Sequence, residues 1–176
     1  RWRAVLPLKL SLYEFAQGVA TSAGNRVVYD VAAGVAHFGA ASVAGRALVW
    51  EIKDDTHDAS SALLSAPVQL DAATDWIMRC DRVEFPPGGI VFRHVHPGPG
   101  IRYLLAGGIE IETEGHTSAY APGGAWFESG PDPVLARASA QIDTAFVRVM
   151  LLPAEWTGKR TIRYVDPADA DLPRLQ

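Results

Sequence analysis

Gly88-Gly89-Ile90-Val91-Phe92-Arg93-His94-Val95-His96-Pro97-Gly98-Pro99-Gly100-Ile101-Arg102-Tyr103-Leu104-Leu105-Ala106-Gly107 holds the residues that decide how this chain is read. Two runs rich in Ile, Val, Phe and Tyr are separated by Pro97-Gly98-Pro99-Gly100, the composition of two strands and a turn. On a strand, residues i and i+2 project to the same face. His94 and His96 therefore point together, with Val95 opposite. Their imidazoles start about 6–7 Å apart along the strand and can tilt toward one ion. Nitrogen ligands of this kind suit zinc, iron, copper, nickel or manganese, with Asp or Glu oxygen as a companion.

The same punctuation continues on both sides. Short β-like runs recur at Trp76–Phe85, Ile90–His96, Ile101–Ala106, Ile109–Glu114 and Thr117–Ala121. Ala125–Glu128, Val134–Ala140 and Ala145–Leu152 follow, each bounded by Gly/Pro breaks such as Pro122-Gly123-Gly124. Many short strands at even spacing indicate an all-β sandwich or barrel. No repeat of one half of the chain within the other is visible, which favours one barrel over two.

The amino-terminal part reads differently. Ser11-Leu12-Tyr13-Glu14 has the spacing of a capping box, and Leu12, Phe15, Ala16 and Val19 follow at helical spacing. This predicts a short helix ending near Gly18. Arg26 to Val31 and Arg46 to Ile52 are β-like, and Lys53 to Asp58 is an acidic loop. The expected organisation is a helix-and-strand extension over residues 1–70 and a barrel with a carboxy-terminal tail over 71–176. The extension is expected to pack on the barrel or to form a homodimer interface, for which the first fifty residues are the candidate.

Bulk properties restrict the function class. The 176 residues are 48% hydrophobic and 20% charged, with a formal net charge of −4. The arginines are scattered with no basic run, so a nucleic-acid partner is not expected. The lone cysteine, Cys80, rules out an intrachain disulfide, fits a reducing compartment and lacks a neighbouring base that would make it a nucleophile. No apolar run approaches a membrane span. Arg1-Trp2-Arg3 and Ala4 to Leu8 begin like a secretory signal, but Lys9 and Glu14 interrupt it. The expectation is a cytoplasmic protein with a small-molecule partner, whose natural start lies upstream of Arg1.

The segment Gly88–Gly107 resembles the first motif of the cupin superfamily, G-x5-H-x-H-x3-E-x6-G, at every spacing. Gly100 stands where that motif has its glutamate. The resemblance implies a single-domain, RmlC-like jelly-roll (double-stranded β-helix) barrel, with His94 and His96 facing its interior. It also implies a glutamate and a third histidine completing a metal site. The second motif, G-x5-P-x-G-x2-H-x3-N, survives in outline only: Gly124 can start it and Pro131 falls one residue late. Val134, Leu135 and Ala136 occupy the region of the third histidine, and no histidine follows His116.

Three readings of the pair remain open at this point. A divalent transition metal is held by His94 and His96 with Glu128 as third ligand or general base, in an enzyme of oxygenase, isomerase or lyase type. Alternatively, the two histidines bind metal weakly, with water or substrate completing the shell. In the third reading, a metal-free barrel binds or senses a small organic ligand, and the histidines are hydrogen-bonding or acid–base groups.

Arg102 shares the strand face of Gly100. It either clamps a substrate carboxylate or turns outward, to solvent or to Glu110 or Glu112. Phe92 and Trp126 are expected to line the pocket if they face inward. Glu110, Glu112 and Glu114 read as a solvated face, His116 as a surface residue and His37 as partly buried.

Overall fold

The computed structural model describes residues 1–3, 7–173 and 176, so residues 4–6 of the signal-like stretch and 174–175 of the tail lie outside the described residues. The first part of the chain forms β1 (Trp2–Arg3), β2 (Leu8–Phe15), β3 (Val19–Thr21) and β4 (Arg26–Asp30). It continues through β5 (Val35–Phe38), β6 (Ala41–Val43), β7 (Ala47–Asp54) and β8 (Leu64–Val68). The remainder forms β9 (Asp75–Phe85), β10 (Ile90–Val95), β11 (Gly100–Ala106), β12 (Ile109–Thr113) and β13 (His116–Tyr120). Then come β14 (Ala125–Glu128), β15 (Val134–Ala138), β16 (Thr144–Pro153) and β17 (Arg163–Tyr164). Helical structure among the described residues is limited to 3-10 turns at Ala154–Trp156 and Pro167–Asp171.

These strands build three layers. The barrel consists of two facing antiparallel sheets, β1-β9-β16-β11-β14 and β13-β12-β15-β10-β17. Phe85, Leu104, Trp126 and Phe146 from the first meet Val91, Ile109, Ile111, Val134 and Ala136 from the second in a common interior. A third sheet, β5-β4-β7-β2-β8, covers the outer face of the first. Leu10, Leu12, Val27, Leu48 and Trp50 of that sheet pack on Ile101, Tyr103, Val147, Val149 and Leu151.

The middle sheet is thus buried on both faces, which is why Ala145–Leu152 reads as an apolar run broken only by Arg148. Polar ties fasten the layers. Trp50 Nε1 donates to the Ile101 carbonyl at 3.0 Å. Tyr103 Oη donates to Glu14 at 2.9 Å, and Arg46 reaches the same carboxylate at 3.2 Å.

The expected amino-terminal helix is absent: Ser11-Leu12-Tyr13-Glu14 lies inside β2. Period 2 wins over the helical spacing because both faces of this strand have partners. Leu10 and Leu12 enter the core beneath Trp50, whereas Tyr13 and Phe15 pack with Val28 and Val49 on the other side. Ladders to β7 and β8 use its backbone groups, and Ser11 Oγ meets Ser65 Oγ at 2.8 Å instead of capping a helix. His37, expected to be partly buried, is exposed on the edge strand β5. No helix among the described residues is long and apolar enough to cross a membrane.

Candidate functional site

The site lies on the interior faces of β10, β11, β14 and β16. A bulge in β10 positions its histidines. The register to β15 slips between Val91 and His94, so these two residues face the interior together. Phe92 is thereby taken out of the cavity lining, contrary to its expected place in the pocket. It contributes its carbonyl instead, 2.7 Å from His94 Nδ1. With Nδ1–H donated there, Nε2 of His94 keeps its lone pair. His96 Nδ1 lies 3.0 Å from Thr161 Oγ1, and its buried Nε2 has no hydrogen-bond partner among the described residues. The two rings stand edge-on, with centroids 4.9 Å apart.

The missing glutamate has a counterpart one strand away. Gly100 on β11 is directly opposite Glu128 on β14, so a carboxylate is supplied at the level of the motif position from the neighbouring strand. Ligand atoms of His94, His96 and Glu128 all lie within 4.8 Å of one another, and all three residues are buried. Among the described residues, this is the group of His, Cys, Asp or Glu side chains close enough to share an ion.

Gly100 cannot simply be restored to glutamate. A Cβ there would meet the Val149 carbonyl at 2.6 Å and Arg102 Nη1 at 3.0 Å. The space beside the glycine belongs to the arginine.

Arg102 faces inward and is 1% exposed, which overturns the outward reading and its pairing with Glu110 or Glu112. Its partner is Glu128, with Nε 3.0 Å from Oε2 in an ion-pair contact that lacks hydrogen-bond alignment. Neither Nη of Arg102 has a partner among the described residues. Trp126 lines the cavity as expected of an inward residue and donates Nε1–H to the same Oε2 at 2.8 Å. Glu112 is taken up by Arg93 and Arg137 on the second sheet, and His116 is exposed.

Sequence reasoning missed two contributors. Arg148 on β16 is directly opposite Arg102, is buried, and pairs with Asp81 of β9 at 3.2 Å. Its signal was a single charge within eight otherwise apolar residues. Thr161, the partner of His96, had no signal, being 65 residues away.

Burial lowers the proton affinity of both histidines. For His94 the neighbouring Glu128 carboxylate opposes the effect, whereas for His96 the Arg102 and Arg148 cations add to it. Both rings are therefore neutral near pH 7, the form that ligates a metal. Burial also lowers Arg102, to about 10, against the pull of Glu128, so its guanidinium is still charged at neutral pH. The Cys80 thiol is pushed up to about 12 by burial, with the Asp81 charge adding to it, and has no nucleophilic part here.

A motif with intact glycine and histidine spacing, carried on β10 and β11 inside two facing five-stranded sheets, decides the fold. The barrel is a two-sheet jelly roll that resembles the cupin barrel.

Solved structures similar to this chain include one described as a cupin and two described as enzymes. An RmlC-like cupin from Shewanella frigidimarina is 14% identical, with a TM-score of 0.40 over 44% of this chain and 68% of the other. The polyketide cyclase RemF from Streptomyces resistomycificus is 21% identical, with a TM-score of 0.43 over 55% and 69% of the two chains. The DMSP lyase DddQ from Ruegeria pomeroyi is 23% identical with a TM-score of 0.45, over 51% of this chain and 44% of its own. No protein-family model and no curated protein matches the chain.

The donor set fits a divalent transition metal in type: two neutral imidazoles, a carboxylate and a buried Nε2 with no other partner. Metal–ligand distances of about 2.0–2.2 Å require the three donors to draw closer than their present 4.8 Å limit.

Proposed function

We propose that this barrel is a metal-dependent enzyme acting on a small molecule, with the ion held by His94, His96 and Glu128. The observation that carries this reading is the buried, unpartnered His96 Nε2 beside a second imidazole and a carboxylate. Left buried without a partner, such a group is costly. A bound ion would supply Lewis-acid polarisation of a substrate oxygen or activation of dioxygen or water.

The chain's own residues prepare that chemistry. Phe92 O and Thr161 Oγ1 orient the rings so that each Nε2 is turned away from its Nδ1 partner. Trp126 and Arg102 both reach Glu128 Oε2, which leaves Oε1 for the ion or for accepting a proton. Oxygenase, isomerase and lyase reactions are all compatible with this arrangement.

The second reading, a metal-free barrel that binds an organic ligand, is favoured by the cation at the place of the fourth ligand. Metal content separates the two. Protein purified without added chelator is expected to carry about one equivalent of Fe, Zn, Ni, Cu or Mn. His94→Ala/His96→Ala is expected to lose it while remaining folded by circular dichroism. Stoichiometry indifferent to the double change would end the metal reading.

A further inference from the structure

Four of the five strands of the middle sheet place one row of side chains across the barrel interior at the level of the site. Ladder partners run Asp81, Arg148, Arg102 and Trp126, with Glu128 one step along β14. Two buried arginines directly opposite each other repel. Asp81 is also bonded by Arg79 at 3.0 Å, so Arg148 holds only part of that carboxylate. Glu128 is shared among Arg102, Trp126 and the proposed ion. The row's two arginines and two carboxylates balance in formal charge, but Asp81 also serves Arg79 from outside the row, and both Nη groups of Arg102 are buried without partners.

Two spaces lie along this row and share part of their lining. The inner one, among His94, His96, Arg102, Trp126, Glu128 and Arg148, is small, about 20 Å³. That is room for about one or two water-sized groups, the size of a carboxylate. An outer vestibule of about 240 Å³ adjoins it, with Arg148, Ile162 and Gln176 lining both. Arg79, Arg82 and Arg160 outnumber Asp81 and Glu84 on the vestibule wall.

We propose that the substrate is a small organic carboxylate whose acid group enters the inner space between Arg102 and Arg148 while its body occupies the vestibule. Paired guanidinium donors bind a carboxylate bidentately and cancel the repulsion between the arginines. The proposal rests on the reading of this barrel as a small-molecule enzyme. It does not require the ion, because the arginines recognise the anion on their own.

The test uses protein stripped of metal with 1,10-phenanthroline, an uncharged chelator that does not compete for an anion site, followed by dialysis. Malonate and its uncharged analogue malonamide are titrated while thermal unfolding is followed. Malonate is expected to stabilise the protein with a Kd at least tenfold below that of malonamide, with the advantage shrinking as salt rises. Arg102→Lys, which keeps the charge but loses the fork, is expected to weaken malonate at least tenfold while malonamide is unchanged. Arg160→Gln on the vestibule wall, outside the lining of the inner space, is expected to weaken it about threefold and guards against a folding defect in the first variant. Equal response to acid and amide, no response to either, or malonate binding indifferent to Arg102→Lys overturns the proposal. Metal content of the untreated protein reports separately on the ion.

Discussion

The middle sheet of this protein has two faces made from alternate residues of the same strands, and they are built for different purposes. Along β11, Ile101 and Tyr103 face the amino-terminal sheet, whereas Gly100, Arg102 and Leu104 face the barrel interior. Along β16, Val147, Val149 and Leu151 alternate in the same way with Phe146 and Arg148. The outer face is close-packed and apolar. The inner face is apolar at one end of the barrel and charged, partly unpartnered and hollow at the other. Burying a charged cluster costs free energy, and the outer face is where the same strands recover it. A charged, hollow interior is tolerated because the reverse side of its sheet is sealed by an extra layer.

The largest expected effect comes from breaking the seal. Trp50 is fully buried and donates to the Ile101 carbonyl across the layers. Trp50→Ala should destabilise the fold by about 3–5 kcal/mol, by loss of transfer energy and creation of a cavity. Urea unfolding measures it. Metal content of the folded fraction should be unchanged, because the site is on the other face.

A second effect sharpens the contrast from the inside, in protein free of metal. His94 and His96 have folded proton affinities below the ordinary value near 6.5. As pH falls below about 6.5 the unfolded chain gains protons that the folded chain does not, so stability falls with decreasing pH. Each ring that stays neutral should cost about 1.4 kcal/mol per pH unit below its unfolded value. Urea midpoints from pH 7.5 to 5.5 should show this slope, and it should flatten in His94→Ala/His96→Ala. No residue of the outer-face core cluster is a histidine, so that face contributes nothing to the trend.

The smallest effect tests how the faces are joined. Gly100→Ala places a Cβ 2.6 Å from the Val149 carbonyl, so β11 and β16 must part slightly. A cost of about 1–3 kcal/mol is expected, with Arg102 displaced and malonate weakened. Unchanged stability would show that the strand spacing yields more easily than this packing implies.

Much of this site was legible before the fold was known. The His94/His96 spacing and its flanking glycines pointed to the barrel. The strand ending at Glu128 pointed to the replacement carboxylate. Phe92 was misplaced because a bulge interrupts the alternation that strand reasoning assumes. The helix expected at Ser11 was misplaced because the spacing of Leu12, Phe15 and Val19 satisfies period 3.6 while Leu8, Leu10 and Leu12 satisfy period 2. Two ladders, not local propensity, chose between them.

Alternation along a strand is a property of the local backbone, so the amino-acid sequence by itself determined that His94 pairs with His96 and that Arg102 shares a face with Gly100. Which face is interior, and what stands opposite, depends on register between strands far apart in the chain. Only the tertiary structure set Glu128 beside Gly100, Arg148 beside Arg102 and Thr161 beneath His96. The physical reason is that hydrogen-bonded ladders are specified by the packing of whole sheets and not by any one segment.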